Sequence, residues 1–377
     1  MHVVFVNQFS FSNLGGVELH ILNLSRELIG CGVKVTLICR DQIAKDGWRP
    51  EANDIEVVRV SGFREMFAFM RRRKEDFDIC HAHMSRKPFS FYGILCARLL
   101  NIPTVFTPHC FYPGTSVINQ TQKWIYDNTI THATLRMANR VVNLTLCDQA
   151  EAMIFGMERS KSRIIPNSVH FSQIVSSQSV SFKAKYGIER DYLLYVGRFS
   201  PEKCIDFLLR SHISFPNVDL VLIGQNDGEL TAILRLAQEL GLSDRIHLIE
   251  RAAFEDVYAA YREALALILA SRYEGLPTVI LEARALGTPT IAPRVGGIPF
   301  IHGLDSDGSL YAWGDNDGYV KCVKRAIENR RNIDTARQSA IFEIYDWRVN
   351  GLKILTLYRE LVNGPSSLSE AWVSDEP

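Results

Sequence analysis

At 377 residues, with 47% hydrophobic and 22% charged side chains, the chain has apolar material for more than one core and is no disordered tail. Lys plus Arg and Asp plus Glu both number 42, so no global field recruits nucleic acid or a membrane, and any anion must be held locally. The eight cysteines include no C-x-x-C pair and no His/Cys cluster of zinc spacing, a pattern expected of reduced thiols in a cytoplasmic protein.

In chain order, Met1 leads directly into an apolar strand at 3–6, and on this reading no basic and apolar leader segment is expected. Gly15-Gly16 then offers a turn where backbone can approach a phosphate, and a helix starting near Val17 would add its dipole. Further strands are expected at 33–39, 56–60, 79–82, 104–107 and 141–142, with helical periodicity between them. In the segment 63–74, Phe63, Met66, Phe67 and Met70 recur at helical spacing ahead of Arg71, Arg72, Arg73 and Lys74. Such a helix either packs on the sheet, its basic end complementing its dipole, or touches an anionic membrane surface. Arg98 interrupts the longest apolar stretch, at 89–100, which falls short of the roughly 18 apolar residues that span a bilayer.

The serine-rich stretch 168–181 reads as a linker, after which the rhythm restarts with strands at 192–196, 219–223, 246–248, 266–270 and 290–291. Short apolar strands alternating with helices specify an α/β protein with two parallel sheets. The expected organisation is a domain at 1–170, a second at 171–346, an amphipathic helix at 347–363 and a mobile tail at 364–377. Open parallel sheets bind ligands beyond the carboxyl ends of their strands, and the chemically suggestive residues nearly all follow strands. Late in the chain, Pro277 suits the start of a helix over 278–286 that Gly287 and Pro289 stop. Glu274 stands in the loop before that helix and Glu282 within it, seven residues between them. Backbone amides from Gly275 and Leu276 onward, Pro277 itself having no N–H, lead to a helix N-terminus, which suits a diphosphate.

These features together resemble the retaining, nucleotide-sugar-dependent glycosyltransferases of family GT4, whose signature is a Glu, seven residues and a second Glu. The likeness extends to Gly15-Gly16-Val17-Glu18, Asp78-Ile79-Cys80-His81-Ala82-His83, Thr107-Pro108-His109, Ile165-Pro166-Asn167, the run from Val196-Gly197-Arg198 to Glu202-Lys203, and Val295-Gly296-Gly297-Ile298. The resemblance implies the GT-B fold, two Rossmann-like domains whose parallel sheets face a central cleft, with acceptor bound by the first and donor by the second. It implies that Arg198 and Lys203 clamp the diphosphate beside Gly197, that His109 contacts a donor-sugar hydroxyl, and that Glu274 lies near the sugar and Glu282 at the ribose. It further implies front-face substitution, in which the departing phosphate helps deprotonate the acceptor, without a metal.

The chain departs from the family pattern in three places. Cys204 follows Lys203 where Gly is usual, Glu250 and Arg251 occupy the base-recognition strand end where Gly is usual, and Asn167-Ser168-Val169-His170 replaces Asn-Gly-Val-Asp. His81 and His83 either line the acceptor side or pack. Asp305-Ser-Asp307 and Asp315-Asn-Asp317 imitate a metal motif but sit among turn residues. The expected activity is transfer from a UDP or GDP sugar, with no further cofactor, to a hydroxyl of a cell-surface glycan or glycolipid. Alternatives are a small soluble metabolite as acceptor or a sugar-nucleotide epimerase of the same architecture. No G-x-G-x-x-G fingerprint supports a dehydrogenase. The expected location is the cytoplasm, with the inner face of the membrane as the site of any lipid-linked acceptor.

Overall fold

The computed structural model describes all residues except 12–14, 41–53, 85–86, 112–116, 178–180, 303–308, 330–340, 342 and 365–377. Two compact units emerge, the first comprising 1–167 with 347–377 and the second 168–346.

The sheet of unit 1 is built from β1 (His2–Val6), β2 (Lys34–Cys39), β3 (Glu56–Arg59), β4 (Ile79–His83), β5 (Thr104–Thr107), β6 (Arg140–Asn143) and β7 (Ser162–Ile164). Its strand order is β3-β2-β1-β4-β5-β6-β7, and every pair is parallel. Val3, Val4, Phe5, Ile79, Cys80 and Val105 are fully buried, which is why these strands read as continuous apolar runs rather than alternating ones. One face carries the helix Gly16–Gly30 and the final helix Trp347–Asn363, whose Trp347, Ile354 and Tyr358 enter the same core as Phe5 and Ile21. The helix Phe63–Arg72 covers the other face: Met66 and Met70 are fully buried and Phe63, Phe67 and Phe69 pack on that core. Arg73 bonds Glu56 at 2.7 Å and Asp76 at 3.1 Å while lying over Phe69 and Phe77, so the packing alternative describes this segment.

Unit 2 is built from β8 (Tyr192–Val196), β9 (Asp219–Ile223), β10 (Ile246–Ile249), β11 (Ala266–Ile268), β12 (Thr290–Pro293) and β13 (Leu310–Tyr311). The order is β10-β9-β8-β11-β12-β13, again parallel throughout. The serine-rich stretch expected to be a linker lies inside this unit. It forms the helix Phe171–Ser176, which buries Phe171 and Ile174 and is tied by Arg262 to the carbonyl of Ile174. Two buried apolar residues at one-turn spacing outweigh the serines around them.

Gly93, in the helix Pro88–Leu99, lies against β1. A Cβ there would come within 2.8–2.9 Å of the Val6 side chain, in a core with no slack. Gly93→Ala should therefore destabilise unit 1 by about 1–3 kcal/mol, read as a lowered urea midpoint. An unchanged midpoint would contradict this packing.

Candidate active site

Strand order determines which residues can meet. In unit 2, β8 is the first strand, with β9 on one side and β11 on the other, so the direction of winding reverses between β8 and β11. Such a switch point opens a crevice at the carboxyl ends of the strands, where the loops diverge. The loop after β8 carries Gly197, Arg198 and, in the turn Pro201–Lys203, Lys203. The loop after β11 carries Ser271 and Glu274. Lys203 Nζ donates to Glu274 Oε1 at 2.6 Å across a separation of 71 residues, and Ser271 Oγ donates to the same oxygen at 2.6 Å. The two charged side chains are only 17% and 12% exposed, so this is a largely desolvated pair.

The backbone holds these loops together. The amide of Arg272 donates to the carbonyl of Glu202 at 2.8 Å, and that of Gly297, after β12, to the carbonyl of Glu274 at 3.3 Å. Gly296 has φ +50°, and a Cβ there would collide with the Glu274 carbonyl, so glycine is required for this approach. Cys204, where the family usually has glycine, adopts the left-handed conformation with φ 49° and ψ 49°. The chain thus keeps the glycine-like backbone at a cost of about 1–2 kcal/mol for a side chain there.

Arg198 turns toward β9. Its guanidinium bonds Asp227, in the loop after that strand, and Glu202 at 3.3 Å. The two cations expected to act as one clamp share the carboxyl edge of the sheet but hold separate carboxylates. The buried Tyr195 hydroxyl donates to the Arg198 carbonyl at 2.8 Å, fixing the backbone beside Gly197. Glu250 and Arg251 are exposed just beyond β10, two strands from β8.

Glu282 projects from the helix Thr278–Ala285, for which Pro277, in extended conformation, is the capping residue; Leu276 is buried beside it and Gly275 half-buried. Burial raises the Glu282 carboxyl to about 6, opposed by hydrogen bonds from Tyr261, whose hydroxyl lies 3.1 Å away, and Thr278. Asp227, Ser271 and Tyr261 went unmarked in the sequence because each meets its partner only through strand order or helix packing.

Unit 1 has its own switch point, between β1 and β4. Gly15 caps the helix Gly16–Gly30 in extended conformation. Its amide donates to Glu18 Oε2 at 3.0 Å, and Asn7 Nδ2 donates to Glu18 Oε1 at 3.0 Å, so the buried Glu18 braces this turn while Gly16 is exposed. His109 follows β5 with φ +65°, is 8% exposed, and lies 3.1 Å from His83 Nδ1 through its Nε2. His81 is satisfied on both nitrogens, by Tyr358 at 2.6 Å and Thr107 at 2.7 Å, and is a packing group. Asp315 Oδ1 accepts from the Gly318 amide at 2.9 Å at the start of the helix Asn316–Asn329, a capping role; Asp305 and Asp307 lie outside the described residues.

Two parallel α/β units, each with candidate functional residues at its carboxyl edge, define the GT-B class. A family model described as Glycosyl transferases group 1 matches residues 179–341, and one described as Glycosyltransferase Family 4 matches 14–173. The chain belongs to this glycosyltransferase family. A Saccharomyces cerevisiae phosphatidylinositol N-acetylglucosaminyltransferase GPI3 subunit is 26% identical over 99% of this chain and 86% of its own length. A Mycolicibacterium smegmatis D-inositol 3-phosphate glycosyltransferase is 29% identical over 52% of this chain and 48% of its own. Among solved structures, sucrose-phosphate synthase from Thermosynechococcus elongatus superposes with a TM-score of 0.82 at 19% identity, covering 97% and 100% of the two chains. Anabaena HepE in complex with UDP-glucose gives 0.77 at 17%, covering 96% and 100%.

Glu282 gives a pH test with a defined sign. Its folded-state value, near 6, exceeds the ordinary 4.5, so its contribution to stability is fully present below about 4.5 and is lost as pH rises through 6. Glu282→Gln should accordingly stabilise the ligand-free protein at pH 8 by on the order of 1–2 kcal/mol, measured by thermal unfolding. A lowered melting temperature at pH 8 would contradict burial of an ionised carboxylate there.

Proposed function

We propose that the chain transfers a sugar, with retention of anomeric configuration, from a UDP sugar to a hydroxyl of an inositol-containing acceptor in glycolipid synthesis. The observation that carries this reading is the buried Lys203–Glu274 pair at the switch point of unit 2, joined through strand order and not sequence proximity. As the bond from the anomeric carbon to the phosphate oxygen breaks, negative charge grows on the diphosphate, and fixed cations lower that barrier. Lys203, positioned by Glu274 and Ser271, and Arg198, braced by Tyr195, supply that charge. These cations make the reaction independent of a metal. Glu274 is assigned the donor sugar but no nucleophilic step, since one of its oxygens already accepts two hydrogen bonds. The departing phosphate takes the acceptor proton, Glu282 holds the ribose, and His109 of unit 1 contacts a donor-sugar hydroxyl. Glu250 and Arg251 stand for base recognition, and Gly15 and Gly16 for backbone approach to phosphate.

The UDP assignment draws on Anabaena HepE, solved with UDP-glucose, and the acceptor on the two inositol-directed relatives. A lipid acceptor would put the reaction at the inner face of the membrane; among the described residues no helix is long and apolar enough to cross one.

Arg198→Ala and Lys203→Ala should each lower kcat by roughly two to three orders of magnitude, with folding checked by circular dichroism. Rates within a factor of two of the native enzyme would remove these residues from the diphosphate site. Incubation with UDP sugars and either inositol phosphate or phosphatidylinositol should yield a product whose anomeric coupling matches the donor, undiminished by chelator. Inverted stereochemistry, or donor isomerisation without acceptor, would overturn the reading.

A further inference from the structure

The carboxyl edge of unit 1 gathers more histidine than the transferase reading uses. His20, from the helix after β1, His83, ending β4, and His109, after β5, are all buried, and one ring nitrogen from each lies within 4.8 Å of the others. Ring centroids of His20 and His109 are 4.8 Å apart at 89°, and those of His83 and His109 5.3 Å apart. Among the described residues no carboxylate joins the cluster, and His81 beside it has both nitrogens occupied.

His20 Nδ1 lies 2.8 Å from Asn167 Oδ1, an acceptor, so it carries the hydrogen and leaves a lone pair on Nε2. That nitrogen is buried without a hydrogen-bond partner. A buried lone pair facing other imidazoles costs free energy in packing alone, and a neutral histidine oriented through Nδ1–H to an oxygen is the arrangement that metal-bound histidines adopt. Burial holds His20 near 4 and pushes His83 and His109 well down, so all three rings are neutral at pH 7 and able to ligate.

We propose that His20, His83 and His109 form a binding site for one divalent transition-metal ion of the zinc class. Zinc–nitrogen bonds of about 2.0–2.1 Å in tetrahedral geometry place ligand nitrogens roughly 3.3 Å apart. The His83–His109 pair, at 3.1 Å, has that spacing already, and the His20 nitrogen, within 4.8 Å of the others, must advance by up to about 1.5 Å. Whichever ring donates in that pair moves its hydrogen to its other nitrogen, so both remain neutral and no proton is lost. Three neutral ligands leave the ion its double charge and an open position for water or an anionic oxygen. The site goes beyond the transferase reading and shares one residue with it, His109, which would ligate through Nε2 and leave Nδ1 for the donor-sugar hydroxyl.

The test titrates Co2+ into the full chain after chelator treatment. One equivalent should bind with the intense visible absorption of a four-coordinate nitrogen site, be displaced by Zn2+, and vanish in His20→Gln and His83→Gln variants. Absence of a one-equivalent transition, a thiolate charge-transfer band, or persistence of the signal in both variants would overturn the site. Because either variant can misfold, the unaltered protein provides a second reading: Zn2+ should raise its Tm in a concentration-dependent way, and no rise would refute the proposal. Neither measurement involves turnover, so failure here leaves the transferase reading intact, and failure of a transfer assay leaves this site intact.

Discussion

The Lys203–Glu274 ion pair is the constraint on which the proposed donor site depends. Removing two charges from water is costly, and a largely buried pair survives only with good geometry and further hydrogen bonds. Here Ser271 supplies an additional bond, while the Arg272 and Gly297 amides fix the loops that bring the pair together. Such a pair adds little to stability compared with an apolar substitute, but losing one partner leaves a buried charge alone, at about 3–5 kcal/mol. Under the proposed function the pair serves as preorganisation: the ammonium would be held where a diphosphate oxygen could share it.

The rest of unit 2 is arranged around that point by topology. Loops after β9, β8, β11 and β12 are neighbours because those strands are neighbours, so Asp227, Arg198, Lys203, Glu274 and Gly296 occupy one edge although they span about a hundred positions of sequence. Unit 1 repeats the scheme with a different chemical outcome. Its edge collects buried imidazoles and a braced glycine turn rather than cations.

Most strands were legible because burial on both faces leaves an unbroken apolar run, as at Tyr192–Val196 and Asp219–Ile223. The two that were not, Ser162–Ile164 and Leu310–Tyr311, are short sheet-edge strands, the first with polar and exposed residues, and offer no such run. The motif residues of the site were visible through family likeness, and the helix start at Thr278 through its proline. Their partners were not visible. Asp227, Ser271 and Tyr261 are ordinary residues in ordinary text, selected only by which strands adjoin, and the histidine cluster unites positions 20, 83 and 109 from three elements. Cys204 is the reverse case: it was legible as a departure from the usual glycine, and it adopts the left-handed conformation that glycine takes most readily.

The most direct test compares uridine and UDP binding by calorimetry in the native protein and in Lys203→Met. If the ammonium is shared with the diphosphate, UDP should bind the native protein at least tenfold more tightly than uridine, an advantage of about 1.4 kcal/mol, and most of that advantage should disappear in the variant. A UDP preference that survives intact in correctly folded Lys203→Met would contradict the account.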